Sequence, residues 1–470
     1  MKRRRLIFRM MVLLLGIALL FGGCAPVFSQ DIQGNSSTLE AMAPTVTPSA
    51  SLFSVQRETP AEPVTVEGEI TAVRRSSFTL LLEDGTQLTV IPSREHMEDD
   101  ELLQGNRAQV IYRPQERQER QENQVKALQV TVTVPEAYAQ VEKLLDTMTL
   151  EEKVGQLFFV RYPGKKAPEE EARYQFGGYI LFGRDFQELT KGEVAAQVEA
   201  CQKEAKIPML MGVDEEGGTV VRVSLNPNLR ETPFPSPREL FKQGGLTMVT
   251  ETEAEKCQLL KELGINVNFA PVCDVSQKED AFMYSRSLGQ NAQVTGDFVR
   301  ETVGVYREEN VGCVLKHFPG YGENGDTHTG VVVDRRSYAD FLEEDFLPFR
   351  EGIRAGAGCV LVSHNVVTCV DDEKPASLSG EWHRVLREEL GFTGCVITDD
   401  LVMGAIQDYC DASSAAVQAV LAGNDLLCCS DYSTQYPAVW EAVQKGEISE
   451  DRVEQSVRRV LRWKVALGLL

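Results

Sequence analysis

Acidic and basic side chains in this chain gather just after short apolar runs, and their types suit proton transfer and attack by a carboxylate. The run IPMLMGV is followed by Asp214, Glu215, Glu216, a Gly217-Gly218 turn and Arg222. INVNFAPV carries Asn268 and leads through Asp274 to Arg286, and GCVLKHFPG supplies Lys316 and His317 before a glycine-rich loop delivers Asp326, Thr327 and His328. Farther on, GCVLVSH closes on Ser363 and His364, TGCVITDD closes on Asp399 and Asp400, and Asn424 and Asp425 read as the end of an eighth run, GNDLLCC. Carboxylates can act as nucleophiles or bases, imidazole exchanges a proton near neutrality, and lysine or arginine can hold hydroxyl groups or negative charge. Singly, each has an ordinary structural use, because an Asp after a strand caps the next helix and a histidine satisfies buried hydrogen bonds. Three of the five histidines fall at or beyond two of these runs, alongside the carboxylates, and capping does not produce that concentration. The pattern points to an enzyme.

These residues need a scaffold that brings the ends of many strands together. From Pro135 to Leu470 the runs QLFFV and GGYILF precede the six above, and helical segments separate all of them. Thr149-Leu150-Glu151-Glu152 is a capping box that opens one such helix. Eight strand-helix units predict an α/β fold, a (β/α)8 TIM barrel over 135–470, although a doubly wound sheet repeats the same local pattern. In a barrel, chemistry belongs at the carboxyl ends of the strands. Residues 64–134 change grammar to short alternating runs with Asp84-Gly85 as a hairpin turn, which predicts a small all-β, OB-like module. Its charged stretch RPQERQERQENQ reads as an exposed loop, and the module reads as a spacer or wall-binding unit.

Ahead of that, residues 25–63 are rich in Ser, Thr, Pro and Ala and read as a disordered tether. Residues 1–24 combine a cationic start, an apolar stretch and small residues ending at Cys24, a lipoprotein-type signal peptide with Cys24 as the lipidated residue. The expected location is extracytoplasmic, anchored to the cell membrane. The 470-residue chain carries a formal charge of −22, which argues against nucleic acid as a partner. The other ten cysteines show neither metal-site nor disulfide spacing and read as core thiols. Neither a metal nor a cofactor is expected, and the protein reads as a monomer.

The string KHFPGYGENGDTHTG resembles the signature loop of the single-barrel β-N-acetylhexosaminidases of glycoside hydrolase family 3. MTLEEKVGQL, VDEEGGTVVR, NFAPVCDV, SRSLG, PASLSGEW, ITDDLVMGAI and AGNDLL follow the same family's order, so the resemblance covers the chain from about Pro135 to its end. It implies a retaining, exo-acting enzyme that releases terminal N-acetylglucosamine from cell-wall or environmental glycans, as in peptidoglycan turnover. It implies Asp399 as nucleophile, His328 as proton donor and Asp326 as the residue orienting it. Asp214, Arg222, Arg286, Lys316 and His317 match the family's sugar-contacting positions. One departure is Thr219, where the family has Arg after Glu-Gly-Gly.

Retaining hydrolysis requires a carboxylate to attack the anomeric carbon and a second group to protonate the departing oxygen. Asp399 is expected to stay ionised through Lys316 and nearby arginines, and Asp326 to fix the imidazole tautomer of His328. Gly320, Gly322 and Gly325 allow either a swinging loop or a rigid turn with positive φ. Three alternatives stand beside this reading: a phosphorylase on the same fold, since imidazole does not repel phosphate; a metal-dependent barrel hydrolase using His317, His328, His364 and Asp399; and a non-catalytic sugar-binding lipoprotein.

Overall fold

The computed structural model of the chain describes residues 62–92, 102–114 and 123–470. The signal peptide with Cys24, the tether up to residue 61 and the charged stretch at 115–122 lie outside the described residues.

Strands Val64–Arg74 (β1), Ser77–Leu81 (β2), Gln87–Ile91 (β3), Arg107–Tyr112 (β4) and Gln124–Thr133 (β5) close into a small barrel in the order β1-β2-β3-β5-β4. Only β3 and β5 run parallel. Alternation along the strands sends Ile70, Phe78, Leu80, Val90 and Val110 to its interior. The turn between β2 and β3 forms because Gly85 takes a positive φ of 81° and the Asp84 carboxylate accepts the Thr86 N–H at 2.9 Å.

The remaining strands are Phe158–Arg161 (β6), Gly178–Leu181 (β7), Leu210–Val213 (β8), Val267–Asn268 (β9), Gly312–Phe318 (β10), Val333–Asp334 (β11), Cys359–Val362 (β12), Val366–Val367 (β13), Cys395–Thr398 (β14) and Leu427–Cys429 (β15). β11 and β13 pair with each other, and the other eight run parallel in one sheet. Because β6 lies beside β15, and a bridge from Ile397 to Leu426 joins the β14 end to the β15 end, the sheet closes as a (β/α)8 barrel. Along β12, Cys359 and Leu361 face the barrel interior, while Val360 and Val362 pack against the outer helices. Burial on both faces explains why these strands read as unbroken apolar runs. Helix Glu450–Ala466 closes the floor with Val460 and Trp463, which join the interior cluster. Cys428 and Cys429 point to opposite faces, and both are free thiols.

One sequence expectation is corrected here. Asn424 and Asp425 precede β15, so they sit at the amino end of strand eight and not at its carboxyl end. Gly423, with φ of 125°, ends helix Ala412–Ala422, and the first residues of GNDLLCC complete that turn before the strand begins. Asp425 serves as a charge hub there, 2.6 Å from Arg387 and 2.9 Å from Arg459.

Candidate active site

At the carboxyl ends of the barrel strands, charged side chains from separate loops meet. Just past β8, Asp214 is followed by a turn that only glycine allows: Gly217 and Gly218 have φ of 101° and 64°, and a Cβ on Gly217 would stand 2.3 Å from the Pro235 carbonyl. The buried Glu215 carboxylate braces the returning strand of this turn, accepting the N–H groups of Arg222 and Val223 at 2.7 Å each. Asn268 of β9 clamps the Glu215 backbone from the other side, at 2.9 and 3.0 Å.

Lys316 of β10 lies 2.7 Å from Asp214 and 2.5 Å from Glu216. Arg286 holds Glu216 through two bonds, of 2.6 and 2.9 Å, and comes within 3.2 Å of His317 Nε2. The other ring nitrogen of His317 meets Asp274 at 2.8 Å. Burial opposes ionisation of Glu216, but Arg286 and Lys316 outweigh it and hold its carboxyl well below the ordinary range. Burial likewise opposes the Lys316 ammonium, which Asp214 and Glu216 keep above the usual lysine value. The result is a fixed rail of alternating charge, suited to holding neutral hydroxyl groups by several donors and acceptors at once.

Asp399 follows β14 on the same rim. Burial raises its carboxyl, yet His364, His317, the Asp400 N–H at 2.8 Å and His328 together outweigh burial and hold it below the ordinary aspartate value. The Lys316 ammonium, on the same rim, makes its direct ion pairs with Asp214 and Glu216. Asp400 turns away to accept Val402 N–H and the Ser430 hydroxyl, so it braces the turn. His364 is fully buried: its Nε2–H donates to the Asp400 carbonyl at 3.1 Å and its Nδ1 meets Ser377 Oγ at 2.7 Å. Burial lowers its pKa, and the charge of Asp399 opposes that shift.

His328 stands on the loop after β10 with its side chain 59% exposed, and its Nδ1 meets Asp326 Oδ1 at 2.6 Å. That contact leaves Nε2 directed away from Asp326. The loop is pinned to the segment that follows Asp399, through a 3.1 Å bond from Ala405 N–H to the Thr327 carbonyl. A Cβ on Gly404 would stand 2.8 Å from the His328 carbonyl. Tyr321 adds a second tie, 2.5 Å from Thr327 Oγ1, and its phenol is raised by burial and by the charge of Asp399. Gly320 and Gly322 are turn residues, since a Cβ on either would collide with Asp345 or Arg336, whereas Gly325 faces open space.

The structure thus brings Asp214, Arg286, Lys316, His317, Asp326, His328 and Asp399 to one rim. Arg222 differs: its N–H braces Glu215, while its guanidinium makes no ion pair among the described residues and lines a groove of about 590 Å³ with Arg184 and Asn228. Nothing in the local sequence of Glu216 shows that two cations from other loops converge on it. No group of three or more His, Cys, Asp or Glu side chains among the described residues could hold a metal ion.

Residues 149–463 match the model of the glycosyl hydrolase family 3 N-terminal domain. The chain belongs to glycoside hydrolase family 3. A relative from Nitrosomonas eutropha, named β-hexosaminidase, is 31% identical over 60% of this chain and 83% of its own. The β-hexosaminidase LpqI of Mycobacterium tuberculosis is also 31% identical, over 72% of this chain and 88% of its own. Among solved structures, a family 3 β-N-acetylglucosaminidase from Paenibacillus sp. superposes with a TM-score of 0.65 at 32% identity, covering 69% of this chain. The matched region spans 63% of that longer chain.

Proposed function

We propose that this family 3 enzyme is a retaining β-N-acetylhexosaminidase that releases terminal N-acetylglucosamine through a glycosyl-aspartate intermediate on Asp399. The observation that carries the reading is the meeting, on one rim, of a carboxyl held ionised and an imidazole carried by Asp326 on a loop pinned beside it. Asp214, Lys316, Arg286 and His317 grip the sugar hydroxyls, and Arg222 adds a further donor from the neighbouring loop. Asp399 attacks the anomeric carbon while His328 Nε2–H protonates the departing oxygen. The same nitrogen then takes a proton from water as the glycosyl ester is opened. Asp326 keeps Nδ1 protonated, so that Nε2 alone exchanges the proton. The names of the relatives support the N-acetylhexosamine specificity.

A panel of nitrophenyl glycosides tests it. The β-N-acetylglucosaminide should turn over, the β-glucoside far less, and Asp399→Ala should retain almost nothing; equal rates in wild type and variant would exclude the nucleophile. Running the panel with and without phosphate reads whether water or phosphate is the acceptor.

The proposal carries a chain layout with it: a signal peptide over 1–24, a tether over 25–63, a module with OB-type strand order over 64–134 and a catalytic domain over 135–470. The location follows, an extracytoplasmic enzyme held to the membrane through Cys24. No helix among the described residues is long and apolar enough to cross a membrane. Labelling with a palmitate analogue should mark the wild-type protein and spare Cys24→Ala.

A further inference from the structure

A cavity of about 890 Å³ lies at the other end of the (β/α)8 barrel, between its floor and the small barrel. Gly312, Gly358 and Gly394, at the amino ends of barrel strands, form part of its wall, and the loop Leu103–Asn106 closes it from the small barrel. The volume falls within the 300–1,000 Å³ typical of small-molecule sites.

Cations outnumber carboxylates here. Glu69 pairs with Arg307 at 2.5 Å, and Glu142 with Arg458 at 2.6 Å. Arg459, also on the wall, shares Asp425 with Arg387 and Arg452. Arg462 has no carboxylate in ion-pair contact among the described residues. It lies 4.1 Å over the Tyr138 ring and donates to the Gln104 carbonyl at 2.7 Å and to Asn106 Oδ1 at 2.9 Å. Four guanidinium groups, those of Arg307, Arg458, Arg459 and Arg462, therefore line the cavity against two carboxylates, Glu69 and Glu142, in a chain whose formal charge is −22. Burial lowers Arg462, and the neighbouring Arg458 adds to that effect while Tyr138 and Glu142 oppose it.

We propose that this seam is a second ligand site, for a small organic oxyanion carrying a phosphate or carboxylate group seated on Arg459 and Arg462. The excess guanidinium donors supply charge-assisted, bidentate recognition of such a group. A bound anion touches both barrels at once, so its binding free energy adds to the stability of the folded chain. The site is remote from the strand ends that carry Asp399, and it rests on none of the catalytic reading.

The test is titration calorimetry with thermal melting on the full chain, using inorganic phosphate, glucose 6-phosphate, glucuronate and neutral glucose at an ionic strength fixed with sodium chloride. The organic anions should bind saturably and raise the melting midpoint, while glucose should do neither; glucose 6-phosphate against glucuronate ranks the two head groups. Arg462→Gln should weaken the binding at least tenfold, and Arg462→Lys less, with glycosidase turnover unchanged as the check of folding. Absence of saturable binding by any anion beyond chloride, or equal affinity in wild type and Arg462→Gln, would overturn the proposal. The wild-type titration decides even where a variant folds poorly.

Discussion

The carboxyl of Asp399 is enclosed by imidazoles and a backbone N–H, whereas His328 stands half in solvent on Asp326. Because Asp399 titrates below the ordinary aspartate value, it is ionised throughout the range above about pH 4, and its protonation limits activity only below that. In His328→Ala, turnover of a dinitrophenyl substrate, whose leaving group needs no proton, should therefore stay level between about pH 5 and 8; a steep acid limb near pH 6 would contradict this. Asp326→Asn should lower kcat on poor leaving groups by about 10²- to 10⁴-fold and spare activated ones, measured as a leaving-group series. Asp214, Lys316 and His317 could be picked from the sequence because each abuts an apolar run. Glu216, Asp274 and His364 owe their importance to partners from other loops, which spacing does not disclose. For the same reason spacing does not disclose that Lys316 pairs with two carboxylates at once or that imidazoles surround Asp399.

At the level of elements, the apolar runs marked all eight barrel strands, since burial on both faces leaves a strand no polar alternation. The error came at β15, where the helix-ending turn at Gly423 and the strand share one apolar-looking string. Asp425 makes that junction testable. Its fully buried carboxyl is raised by burial but lowered more by Arg459, Arg387 and Arg452, to about 2. A folded value below the unfolded one of about 3.9 gives stability that is complete above about pH 5 and is lost as pH falls through 2, about 2–3 kcal/mol in all. Asp425→Asn should cost about 3–5 kcal/mol by leaving buried guanidiniums uncompensated, and should flatten the acid side of the stability profile in urea melts between pH 3 and 6. A variant as stable as wild type would contradict the hub.

Across the whole molecule, the small barrel is bonded to the floor of the (β/α)8 barrel, away from the rim that carries Asp399. Val73 N–H reaches the Gly391 carbonyl at 2.8 Å, Gln104 reaches the Ala357 carbonyl at 2.9 Å, and Glu69 meets Arg307. None of these contacts could be read from sequence, because they join segments hundreds of residues apart whose side chains are unremarkable in their own context. Glu69→Gln should therefore lower the melting midpoint by about 1–3 °C and leave kcat/KM unchanged. A loss of activity without a loss of stability would mean that the seam communicates with the rim.

The most direct test of the account is to trap the intermediate. Wild-type enzyme quenched during turnover of a slow fluorinated N-acetylglucosaminide should show, by mass spectrometry of its peptides, one covalently bound sugar on the carboxylate of Asp399, with β configuration in the released product. An adduct on any other residue, or no adduct together with inversion to the α product, would contradict it.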